Sequence, residues 1–129
     1  MEVLKQYLLI AVVFIVIDAV WLTLIANKFY KSQLGSLLKP KADLKPAVVF
    51  YLLYVVGMVV FALRPAIEAG SVGLAAGLGA LLGLIMYATY DLTNYSALKG
   101  WPFKVVAADL AWGTFVTAAS VTVVYLIVG

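Results

Sequence analysis

The chain has 129 residues, of which 66% are hydrophobic and only 12% charged, with a mean hydropathy of +1.11 and a formal net charge of +3. Soluble domains average about 45–50% apolar and 25% charged residues, so a water-soluble fold is excluded and an all-α integral membrane protein is indicated. Cysteine and histidine are absent, which removes disulfides, thiolate and imidazole chemistry and the usual zinc, haem and iron–sulfur ligand sets.

Crossing a hydrocarbon core of about 30 Å takes about 20 apolar residues, and the sequence holds four such segments, at 5–27, 46–63, 71–95 and 102–128. Joined by short connections they consume the chain and leave one domain, 1–129, expected to be a compact four-helix bundle. Continuous apolarity argues against a membrane barrel, whose strands alternate with period two over about ten residues. The first segment is longer than the apolar region of a signal peptide and contains Asp18 and Trp21, so it reads as a retained helix.

After the first span, Phe29, Tyr30, Leu34, Leu37 and Leu38 recur at helical spacing among Lys28, Lys31 and Lys39. This predicts a short helix lying at the membrane interface, either anchoring the connection or recognising anionic lipid headgroups through Lys28 and Lys31. Pro46 and Pro102 are placed at the first turns of the second and fourth helices, and Pro65 is expected to stop the second.

Basic residues are distributed unevenly. Lys28, Lys31, Lys39, Lys41, Lys45, Lys99 and Lys104 fall on one side of this arrangement, and only Lys5 and Arg64 on the other. The positive-inside rule then puts both lysine-bearing connections in the cytoplasm and both termini outside. The basic excess is a topology signal, and no nucleic-acid partner is implied.

Three aspartates, Asp18, Asp91 and Asp109, lie inside the spans with no lysine, arginine or histidine beside them. At the centre of a bilayer they would together cost roughly 8 to 10 kcal/mol. With a rise of about 1.5 Å per residue, all three fall roughly 6 to 14 Å below the cytoplasmic surface, which lowers that cost and suggests one polar cluster. Spans one and four both carry Asp-x-x-Trp-x-Thr, at Asp18, Trp21 and Thr23 and again at Asp109, Trp112 and Thr114. Each indole N–H could serve the aspartate of the opposite helix, or both tryptophans could belong to an interfacial aromatic belt. Span three contributes a stripe of Gly83, Tyr87, Asp91 and Asn94, and span two contributes Tyr51 and Tyr54 at matching depth. Gly73-x-x-x-Gly77 and Gly79-x-x-x-Gly83 are small-residue pairs suited to close helix packing, or to leaving a gap for a solute.

A cluster of this kind is accommodated by protonation, by Tyr, Trp, Thr and Asn donors, or by a cation. Its hard oxygens suit Na⁺, Mg²⁺, Ca²⁺ or Mn²⁺ shared by Asp18, Asp91 and Asp109, with no organic cofactor implied. Three functions are compatible with it: binding or translocation of a cation, proton or small polar solute, with a homo-oligomer built on the glycine face; an accessory role in a larger membrane complex; and a lipid-modifying enzyme. The enzyme reading lacks any visible nucleophile and base pair.

Phe14-x-x-x-Asp18-x-x-Trp21-Leu22, Phe29-Tyr30, Phe50-Tyr51-Leu52-Leu53-Tyr54-x-x-Gly57, Arg64-Pro65-Ala66, Tyr87-Ala88-Thr89-Tyr90-Asp91-Leu92-Thr93-Asn94, Trp101-Pro102 and Asp109-x-x-Trp112-Gly113-Thr114 together resemble the bacterial membrane family catalogued as domain of unknown function 2177. The resemblance spans essentially the whole chain. It implies four membrane helices and characteristic positions at Asp18, Asp91, Asn94, Asp109 and the tryptophans, and it implies no particular activity or cofactor.

Overall fold

A computed structural model describes residues 2–38 and 44–129; Lys39 and Lys41, counted in the charge asymmetry, lie outside them. Among the described residues there is no strand, and four helices are long and apolar enough to cross a membrane, at Glu2–Leu37, Leu44–Ala69, Val72–Ala97 and Phe103–Val128. The first two are composite. The first runs through α1 (Glu2–Trp21), a π-helical turn (Leu22–Ala26), α2 (Asn27–Leu34) and a 3₁₀ turn (Gly35–Leu37). The second runs through α3 (Leu44–Met58), a π-helical turn (Val59–Leu63) and α4 (Arg64–Ala69). The third is α5 (Val72–Ala97) and the fourth α6 (Phe103–Val128).

The short helix expected after the first span is present as α2, but no loop separates it from α1: the backbone stays right-handed helical through Ala26 and Asn27. Phe29, Tyr30 and Leu34 pack against Trp101, Val105 and Val106 where α6 begins. Pro65 does not stop the second helix, as its sequence position suggested. It stands in the first turn of α4, just after the wide π turn has broken the regular ladder that its missing N–H would have interrupted. The stop comes at Gly70, whose φ of 62° is left-handed, with Ser71 N–H donating to the Ala66 carbonyl at 3.1 Å. Ser71 then caps α5 by accepting from the Leu74 N–H at 3.0 Å.

Helices α5 and α6 form the closest-packed pair, and small residues explain why. A Cβ on Gly79 would stand 2.9 Å from the Ala118 Cα, and one on Gly83 would meet the Gly113 carbonyl. Gly73 and Gly77 meet no neighbouring helix and are exposed, so only half of the predicted glycine face packs inside the bundle. The bundle encloses a largely apolar buried core. Ile10 and Phe14 of α1, Met58, Val59 and Leu63 of the second helix, and Val116, Val121 and Val124 of α6 are almost fully buried together.

Tyr54 is buried within this core, stacked on Phe14 at 5.3 Å, and its hydroxyl meets Thr117 Oγ1 at 2.6 Å. Polar contacts between membrane helices average about 0.6 kcal/mol, so Tyr54→Phe is expected to cost about that much in a reversible SDS-unfolding titration.

Candidate functional site

At the other end of the bundle, where Lys28, Lys31, Lys45, Lys99 and Lys104 cluster near the helix ends, the helices part around a cavity of about 310 Å³. Its polar walls come from all four membrane helices. Asp18 on α1 is 6% exposed and accepts two hydrogen bonds, from Trp112 Nε1 at 3.0 Å and from the Tyr51 hydroxyl at 3.1 Å. Asp109 on α6 is 4% exposed and accepts from the Tyr30 hydroxyl of α2. Tyr87, Tyr90 and Trp101 complete the aromatic wall on the α5 side.

The repeated Asp-x-x-Trp-x-Thr pattern is used asymmetrically. Trp112 crosses to Asp18 as its donor geometry suggested. Trp21 instead lies flat on Trp112, with ring centroids 4.6 Å apart and planes 9° from parallel. Its expected partner Asp109 is served by Tyr30. Both threonines turn back to their own helix, Thr23 donating to the Ala19 carbonyl at 2.8 Å and Thr114 to the Leu110 carbonyl at 2.7 Å. The two tryptophans are thus a stacked pair inside the cavity wall rather than separate members of an outer belt.

Of the residues singled out from sequence, Asp18, Trp21, Tyr51, Tyr87, Asp109 and Trp112 line the cavity. Tyr54 is packed in the buried core. Asn94 lies in the last turn of α5, its carbonyl accepting from the Leu98 N–H at 2.9 Å. Asp91 is fully buried but stands outside the cavity wall, and neither of its carboxyl oxygens has a hydrogen-bond partner among the described residues. The Trp101 indole lies close enough to act on that carboxyl, yet its own N–H also lacks a hydrogen-bond partner.

Among the described residues no group of three carboxylates could hold a metal ion. Asp18, Asp91 and Asp109, suggested from the sequence as a shared cation site, are not grouped as one here: Asp18 and Asp109 lie on the cavity wall with different donors, and Asp91 lies outside it near Trp101.

Tyr30 is the site residue that sequence reasoning missed, and the π turn explains the miss. At about 100° per residue, Tyr30 would sit about 120° from Asp18 around an ideal helix; a π turn absorbs about one residue and brings it to within about 20°. Phe29, one residue earlier, would otherwise have taken that face. Tyr90 and Trp101 were seen in the sequence only as neighbours of Asp91 and as part of a Trp-Pro pair.

A bundle of four membrane-crossing helices with a half-buried, aromatic and acidic cavity at its lysine-rich end defines a multi-pass integral membrane protein. The chain belongs to the family described as Predicted membrane protein (DUF2177), whose sequence profile matches residues 3–126. No curated protein and no solved structure matches it.

Proposed function

We propose that this protein binds an organic ammonium cation, or a small solute bearing one, in the cavity between Asp18 and Asp109. The observation that carries this reading is one cavity with two buried carboxyl groups in its wall and, among the described residues, no lysine or arginine lining it. Four tyrosines and three tryptophans make up most of the remaining wall. Aromatic faces beside carboxylates suit a weakly hydrated ammonium better than Mg²⁺ or Ca²⁺, which require six or more well-placed oxygens.

In the same reading the lysine-rich end faces the cytoplasm of a bacterial inner membrane, both termini lie outside, and Lys28 and Lys31 approach anionic headgroups. The packed, largely apolar core beyond Tyr54 favours binding from one side over a standing path through the bundle. Tetramethylammonium is the simplest probe. In phosphatidylcholine nanodiscs it should change the tryptophan fluorescence saturably, since all three tryptophans line the cavity. Neutralising one charged hydrogen-bonding group costs about 1.5–3 kcal/mol, so Asp18→Asn or Asp109→Asn should weaken binding about tenfold or more. Equal affinity in wild type and the Asp18→Asn, Asp109→Asn double variant would sink the proposal.

An accessory or self-assembling role is the second reading. It is favoured by Gly73 and Gly77, which leave an exposed small-residue face on α5 where another membrane helix can approach closely.

A further inference from the structure

Below the π turn at Val59–Leu63, α3 packs against α1 while α5 packs against α6, so α3 and α5 diverge. The gap between them is a groove of about 300 Å³ walled by Phe50 and Tyr51 on one side and Met86, Tyr87 and Tyr90 on the other. Tyr51, Tyr87 and Tyr90 also line the acidic cavity, so these three side chains form a wall common to the two spaces. Phe50 and Tyr90, which wall it on either side, are themselves exposed. Such side chains belong against hydrocarbon, which makes the groove a sideways opening into the bilayer. Each space alone is at the small end of ligand sites, which run about 300–1,000 Å³.

Building on the ammonium reading, we infer that the natural ligand is a single-chain cationic amphiphile that enters from the membrane, its ammonium head between Asp18 and Asp109 and its chain in the Phe50–Met86 groove. Charge decides the head. Two carboxyls, with no cation lining the cavity among the described residues, attract an ammonium and repel a phosphate or sulfate. Chemistry decides the chain, because the groove offers aromatic and thioether surface, part of it exposed. Tyr51 belongs to the common wall, its ring in the groove wall and its hydroxyl on Asp18.

Three probes separate head from chain: tetramethylammonium, decyltrimethylammonium and decyl maltoside, titrated by tryptophan fluorescence in nanodiscs with empty discs as the partition control. Burial of several methylenes should make decyltrimethylammonium bind at least about tenfold more tightly than tetramethylammonium. Asp18→Asn should weaken both cations and leave decyl maltoside weak throughout. Met86→Phe, which narrows the groove at a half-buried position, should weaken only the decyl cation, by about fivefold.

Failure of both cations to bind overturns the ammonium reading and this inference with it. If tetramethylammonium binds in an Asp18-dependent way but the decyl chain adds nothing, the cavity reading stands and the amphiphile is wrong. Equal binding of decyl maltoside and the decyl cation also overturns it. Should Met86→Phe not fold, the comparison of the three probes on the wild type decides alone.

Discussion

Removing the single residue Ile25 is expected to abolish the Tyr30–Asp109 hydrogen bond and to destabilise the protein by more than any point substitution in α2. Ile25 is 54% exposed, so its own side chain contributes little packing. Its deletion turns the π turn at Leu22–Ala26 into an ordinary helical turn and rotates everything after it by about 100°. Tyr30 then leaves Asp109, whose carboxyl stays buried without a donor, at about 1.5–3 kcal/mol for a charged hydrogen bond. Phe29 and Leu34 also leave Trp101, Val105 and Val106, and partial loss of such apolar contact adds about 1–2 kcal/mol. Tyr30→Phe removes only the hydrogen bond and should reach no more than the first figure; Ile25→Ala should be close to neutral. SDS-unfolding titrations measure all three. A deletion no worse than Tyr30→Phe would mean that the π turn has no phasing role. The fluorescence of Trp101 gives a second readout, since it loses its α2 cover and should shift to longer wavelength.

The same turn marks where the sequence stops being legible. The spans could be read because twenty-residue apolarity has few other physical meanings, and Ser71 and Gly70 are ordinary cap and stop residues. The pairing of Trp112 with Asp18 followed from an indole needing an acceptor and the two residues sharing a depth. A π turn, by contrast, has no residue signature in Leu22–Ala26, since any apolar stretch can widen by one residue when tertiary contacts favour it. Tyr30 was therefore assigned to an interfacial helix, and Pro65 to a helix end. Asp91 differs for another reason. Spacing along α5 placed it on the Gly83–Tyr87 face, and Tyr87 does reach the cavity wall, but Asp91 one turn further on is fully buried and outside the lining. One-dimensional periodicity gives the face of a helix and leaves its neighbour unstated.

Gly83→Ala and Gly77→Ala are the same substitution on one helix, six residues apart, and their effects are expected to have opposite signs. At position 77 a methyl group meets nothing within 4 Å, so alanine gains helix propensity and should stabilise by up to about 1 kcal/mol. At position 83 the new Cβ stands 2.7 Å from Thr117 Oγ1 and 2.8 Å from the Gly113 carbonyl carbon, closer still to its oxygen. Backbone cannot swing aside as a side chain can, so α5 and α6 must separate along their length. Overpacking of this kind costs about 1–3 kcal/mol and occasionally more, and the upper end is expected because the closest pair in the bundle is forced apart. Thr117 is also drawn off Tyr54, which loosens the buried core. Gly113→Ala should fall between the two, because the atoms its Cβ meets belong to the Tyr87 ring, which can turn away. That turn would move a wall shared by cavity and groove, so Gly113→Ala should alter probe binding more than its stability cost suggests. The decisive comparison is SDS-unfolding of the three variants in one detergent. If Gly83→Ala proves as mild as Gly77→Ala, the α5–α6 approach is looser than 2.7 Å contacts allow, and the wall formed by Tyr87 would have to be redrawn.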